Sequence, residues 1–358
     1  MTLLKSLTIL LTLILVPLVS AQDTAGILPT MTVPIIPVSY QLTDLSFEWQ
    51  QWNNCGPATL TTALTYFDYA DRQDRAAQWL KPNFEDKNVS PWQMAEFVND
   101  HVTELNVAAK VRYGGTRDLL KRLVANNFPV IIEEGYDPPA DPQGWMGHYL
   151  LIKGYDDAQG VFTAHDSYLG PDRAYAYDEI DTFWQHFNYV YITLYPANRE
   201  AELNAILGDD ADEQQNIERS FELARAEAVA DNTDAFAWFN MGSNLVMLDK
   251  YAEAATAFDQ ARTLGLPWRM MWYQFGPFEA YYHTGRYDDM LALGTSNLND
   301  GGGEYVEETY YYIGLVRGAQ GEPDRARIQF DNALRFNPNF LPAQEAIDAL
   351  TSPTGEGS

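Results

Sequence analysis

The chain has 358 residues, 46% apolar and 13% aromatic, with 50 acidic against 23 basic residues and a formal net charge of −27. That length exceeds one ordinary hydrophobic core, so two domains are expected, and the composition is that of a globular protein rather than a disordered one. The acid excess disfavours nucleic acid and anionic membrane as partners, since both would repel it.

Met1 to Ala21 reads as a secretory signal. Lys5 supplies the positive start, Leu7 to Val16 is a short apolar run ended by Pro17, and Val19-Ser20-Ala21 offers small residues for cleavage after Ala21. Secretion or another extracytoplasmic location is therefore expected. A membrane enters only if this segment stays uncleaved, and the run is short for a span. Residues 22–35, with Pro29 and Pro34, read as an extended lead-in.

Residues 36–196 mix helix and strand signals. Gly56 to Asp68 reads as a helix. Ser90 to His101 is a second, with Ser90 as N-cap and Pro91 in the first turn, and Thr116 to Asn126 is a third. Strand-like runs follow at Pro129–Tyr136, His148–Tyr155, Gly160–Asp166 and Tyr189–Tyr195. Helices first and an antiparallel sheet after predict an α+β domain.

Residues 197–216 are acidic and read as a linker or connecting helix, and residues 217–350 carry helical signals up to a polar tail, 351–358. Two stretches share one pattern. Gly242 is followed by Ala254, Phe258 and Ala261; Gly314 is followed at the same offsets by Ala326, Phe330 and Ala333. The pattern resembles the tetratricopeptide (TPR) repeat, a helix–turn–helix unit of about 34 residues that buries its faces only by stacking. Between the copies, Gly285-Arg286-Tyr287 matches the inter-helix turn, but Met290, Gly294 and Asn297 stand where small and aromatic residues are expected. A half repeat is read around Phe221 and Ala224. An all-α repeat domain that binds a protein or peptide partner is the expectation.

The chain has one cysteine, Cys55, in the run Trp52-Asn53-Asn54-Cys55-Gly56-Pro57. An exported protein usually carries paired cysteines or none, so a lone thiol is either buried or used. Its place at a helix start faces unpaired backbone N–H groups and the positive end of the helix dipole, both of which favour a thiolate nucleophile. Of five histidines, His101, His186 and His283 sit in helical or aromatic contexts that suit packing. His148 opens an apolar strand after a glycine-flanked loop, where a side chain can face a cleft. If the following hairpin sets Tyr155 opposite Val161, Leu150 faces Asp166 and His148 becomes its diagonal neighbour on one face. His165 would then point to the other face. One Cys and scattered His give no metal-ligand spacing, and no cofactor is expected.

Cys on a helix, then His and Asp on a sheet, is the papain-like order. With Gln50, the run NNCGPATL, GHYLLIKGYD and HDSYLGP, residues 35–196 resemble family thirty-nine of the cysteine peptidases, the bacteriocin-processing, double-glycine leader type, in stand-alone form. The resemblance implies Cys55 as nucleophile, His148 as general base, Asp166 as its orienter, and a glutamine before the cysteine as oxyanion donor. Papain-type enzymes place that glutamine six residues ahead, where this chain has Trp49. Gln50 is assigned the role, with Gln51 the alternative. No phosphate-binding loop of the kind found in the family's ATP-driven exporters is present, so leader processing coupled to export is not supported. The expected function is an exported cysteine peptidase acting on a peptide or protein, with the repeats holding substrate or partner. A transglutaminase-like acyl transferase uses the same triad order. A catalytically inactive scaffold is the third reading, against which the intact triad speaks.

Overall fold

A computed structural model describes residues 36–137 and 144–351 of the chain. The signal-like segment, the lead-in and all but the first residue of the polar tail lie outside them.

Apolar runs near residues 130, 150, 162 and 192 pair into a seven-stranded antiparallel sheet. Its strands are β1 (Ser39–Gln41), β2 (Val107–Arg112), β3 (Val130–Tyr136), β4 (Met146–Asp156), β5 (Val161–Asp166), β6 (Gly170–Ala176) and β7 (Tyr191–Pro196), in the order β2-β7-β3-β4-β5-β6. β1 pairs with the far end of β4, beyond the reach of β3. Side chains alternate across a strand, and each face is covered. Ile131, Leu151 and Ile192 pack under α1 (Cys55–Leu64), α2 (Gln73–Leu80) and α3 (Pro91–Glu96). Ile132, Leu150 and Ile152 pack under α4 (Arg117–Ala125) and α5 (Tyr177–Trp184). Burial on both faces is why the central strands read as continuous apolar runs.

The domain is α+β as expected, although the order is less simple than helices followed by sheet. β2 precedes α4, and β1, β2, β6, α2 and α5 carry no clear signal in the sequence. β2 (VAAKVR) is an edge strand rich in residues of low strand preference, and β6 (GPDRAYA) is a largely exposed edge. Ser90 caps α3 through a capping box with Gln93, but α-turns stop at Glu96 and Phe97–His101 continues as a π-helical turn.

After α6 (Glu200–Leu207), a connecting helix, and α7 (Glu213–Ala230), the pairs α8 (Ala235–Met247) with α9 (Tyr251–Leu264), α10 (Gly276–His283) with α11 (Tyr287–Asn299), and α12 (Glu307–Ala319) with α13 (Pro323–Phe336) form a helical array closed by α14 (Leu341–Thr351). Its glycines are contact points: a Cβ on Gly242 would sit 2.7 Å from the Phe258 ring, and one on Gly314 would sit 2.4 Å from Phe330. The middle pair inverts the arrangement. There the aromatic Phe278 is on the first helix and Gly294, sixteen residues on, faces it, with a Cβ-to-ring distance of 3.6 Å and Ile313 closer still at 3.1 Å. Exchanging large for small conserves the filled volume, which explains a copy that looks degenerate in sequence.

Candidate active site

Asn53, in the left-handed region (φ 53°), and Asn54 turn the chain so that α1 begins at Cys55. Pro57 sits in the first turn, where its missing N–H leaves nothing unpaired. Gly56 lets the helix approach the sheet, since a Cβ there would lie 3.3 Å from Val89 and 3.5 Å from the Tyr149 ring. Thr59, one turn on, donates to the Tyr149 carbonyl at 3.2 Å. The rest of α1 is buried while Cys55 is half-buried, at the floor of a cleft of about 220 Å³ that Gln50, Gln51, His148, Tyr168 and Tyr273 also line.

The hairpin that brings His148 to Asp166 closes differently from the expected register. Asp156 faces Val161 and Tyr155 faces Phe162, one residue off. A bulge between Ile152 and Gly154 takes up the difference, so that Leu150 does face Asp166. The bulge has a cause. Leu42 N–H donates to the Lys153 carbonyl at 2.7 Å, and β1 passes so close to Gly154 that a Cβ would be 2.8 Å from the Tyr40 carbonyl oxygen. Tethering by β1 therefore accompanies the parity that puts His148 and Asp166 on one face.

His148 Nε2 lies 2.9 Å from Asp166 Oδ1. An ionised carboxylate only accepts, so Nε2 carries the proton and Nδ1 is left for the thiol, with which the ring is hydrogen-bonded. Asp166 is fully buried and also accepts from Tyr168 N–H at 2.8 Å, Leu169 N–H at 2.9 Å and the Tyr175 hydroxyl. Burial alone would raise its pKa; the His148 charge and these donors outweigh burial and hold it far below the usual carboxylate range. Burial likewise pushes His148 down, but Asp166 and then Cys55 raise it well above an ordinary imidazole.

Gln50 and Gln51 differ in what holds them. Gln50 accepts from Ser167 Oγ at 3.0 Å through Oε1, and its backbone N–H donates to the Ser167 carbonyl at 2.9 Å. Its amide oxygen is thereby pinned, which turns the choice of donor into a matter of geometry: Gln51 Nε2 is given to Asp74 at 2.9 Å, outside the triad. His165 lies on the opposite face, where Nδ1 accepts from Asp172 N–H at 3.2 Å and burial pushes it down to about 4. The remaining histidines pack on rings: His101 on Trp79, His186 on Phe236, His283 on Tyr251.

Several site residues escape sequence reasoning. Glu134 stands directly across from His148 on β3 and is pushed up to about 8 by burial first, with Asp166 adding to it. Tyr175 supports Asp166 from β6, and Tyr273 reaches the cleft from the helical array. Ser167 and Tyr168 had a local signal, inside the HDSYLGP run. Among the described residues no group of three His, Cys, Asp or Glu could hold a metal ion.

Residues 36–196 match the model of the Peptidase_C39 like family. No curated protein matches the sequence. Among solved structures, the chain is similar to a C39-like peptidase from Bacillus anthracis, at 14% identity and a TM-score of 0.36, covering 44% of this chain and 97% of that one. Similarities to MamA RS-1 as an ArsTM double mutant (15%, TM-score 0.34, 42% and 83% covered) and to YrrB, described as a TPR protein with an unusual peptide-binding site (15%, 0.21, 42% and 89%), are also found.

Proposed function

We propose, from the premise of a C39-peptidase-like domain at residues 36–196 followed by TPR-like helices, that this protein is an exported cysteine peptidase. The observation that carries the reading is the convergence of Cys55 and His148 from a helix and a strand in one open cleft, with Asp166 of the next strand buried behind His148. The Cys55 thiolate attacks a peptide carbonyl. The resulting oxyanion is received by the Cys55 N–H and the Gln50 side-chain amide. His148 then passes its proton to the departing amine, leaving a thioester. Water, losing a proton to His148, cleaves the thioester and frees the acid. Asp166 holds the ring and offsets its charge throughout.

The signal-like Met1–Ala21 supports export, and the helical array supplies a surface for substrate or a protein partner. The test is incubation with a mixed peptide pool at neutral pH, read by mass spectrometry. The account expects new termini with the native protein and none with Cys55→Ala. Cleavage by Cys55→Ala at the native rate would overturn it. Adding a primary amine separates hydrolysis from acyl transfer, because a transferase converts the cleaved acyl group to an amide.

A further inference from the structure

A second cavity, about 250 Å³, lies between the peptidase-like domain and the helical array. It adjoins the catalytic cleft: Tyr273 lines both. The Tyr273 ring is seated over the Gly147 backbone, where a Cβ would be 2.8 Å away, and stands edge-on to Trp145 and Phe187. One wall of the cleft therefore comes from the repeats, and the space behind that wall is the cavity.

Its chemistry is one-sided. Two carboxyls line it, Glu133 from the centre of β3 and Glu279 from α10, and among the described lining residues there is no Lys, Arg or His. Glu133 is 3% exposed. Tyr312 is the hydrogen-bond neighbour of Glu279, and the Tyr149 hydroxyl is that of Glu133 while donating to the Val89 carbonyl at 2.6 Å; among the described residues neither carboxyl forms an ion pair. His283 approaches Glu279 from outside the cavity and lowers it, but burial prevails and pushes both carboxyls upward. A carboxyl withdrawn from water without an ion-pair partner is costly, and a cation entering the cavity would offset that cost. Around them stand Tyr113, Tyr273, Phe275 and Tyr312, whose ring faces attract cations. The volume is below that of pockets for whole drug-sized ligands and suits a single long side chain.

We infer that this cavity is a specificity subsite that takes the lysine or arginine side chain of a peptide whose backbone lies in the Cys55 cleft. The inference rests on the peptidase reading and adds the chemistry of its substrate. Apolar stem contacts with the aromatic rings and charge contacts with Glu133 and Glu279 would together select a basic residue at one fixed distance from the scissile bond.

The test is cleavage-site profiling of the full chain on a proteome-derived peptide library. The native protein should show Lys or Arg enriched at one position, about tenfold or more, the worth of one hydrogen bond to a charged group. Glu279→Gln should bring that ratio toward one, and Glu279→Lys should turn the preference to Asp or Glu, a reversal that a merely structural role would not produce. Glu133→Gln, deeper in the fold, serves as the second variant, with circular dichroism to confirm folding. Cuts that depend on Cys55 but carry no basic preference, or a preference unmoved in Glu279→Gln, overturn the subsite and leave the peptidase reading standing. Absence of any Cys55-dependent cut overturns that reading and the subsite with it.

Discussion

At the scale of residues, the site is a charge arrangement as much as a triad. Asp166 is fully buried and ionised, and it is the largest influence raising His148. In the proposed mechanism His148 acts in its protonated form, so activity should end on the alkaline side where His148 loses its proton. Asp166→Asn removes the raising influence, so His148 falls and the alkaline limb of the kcat/KM profile should move to lower pH. A drop in kcat of about 10²–10⁴-fold should accompany the shift. An unmoved limb would mean Asp166 does not govern His148. Gln50→Ala should cost about 10²–10³-fold in kcat, the usual worth of an oxyanion donor, and Gln51→Ala far less, because Gln51 is spent on Asp74. Equal losses would remove Gln50 from the mechanism. Cys55, His148 and Asp166 could be singled out because each stands in a short run with its own chemistry. Glu134, Tyr175 and Tyr273 were not, because a strand pairing or a domain contact, and no local pattern, brings them to the site.

At the scale of elements, the hairpin β4–β5 shows what sequence parity can and cannot carry. Alternation predicted that His148 and Asp166 share a face, and they do, but by way of a bulge at Lys153 that compensates a one-residue slip in the turn. No local signal marks that bulge; it is imposed by β1, more than a hundred residues away. The repeats teach the converse. Gly242–Phe258 and Gly314–Phe330 were legible as a pattern, whereas Phe278–Gly294 hid the same contact by exchanging its members. This predicts a coupling. Phe278→Ala should destabilise by about 3–5 kcal/mol in denaturant unfolding, and Gly294→Phe alone should also destabilise through overpacking. The double variant Phe278→Ala with Gly294→Phe should recover at least about 1 kcal/mol relative to the sum of the single changes. Strict additivity would mean the two positions do not share a space.

At the scale of the whole molecule, the two halves are one compact unit over the described residues, joined in part by buried acid. Asn88 donates to Glu308 and Asn337 to Glu307, and Asp86 stands among them. Burial pushes Asp86 up to about 6, against the Lys81 charge and a hydrogen bond with Glu307 that lower it; burial first, and then repulsion from Asp86, pushes Glu308 up to about 8 and Glu307, which Glu308 also repels, well above the carboxylate range. Raised carboxyls contribute most below the unfolded value near ~4, and that contribution is lost as pH rises through the folded values. The melting temperature should therefore fall between about pH 5 and pH 8, and Glu308→Gln should flatten the fall; an unchanged slope would show that the junction does not titrate. The same whole-chain view makes the central claim simple to measure, because Cys55 is the chain's single thiol and any alkylation reports on it alone. The decisive measurement is the rate of iodoacetamide labelling against pH for the native protein and His148→Ala. The account predicts rapid labelling near neutrality that His148→Ala abolishes. Labelling that begins only above about pH 8, as for a free thiol, and proceeds equally in both proteins, would contradict it.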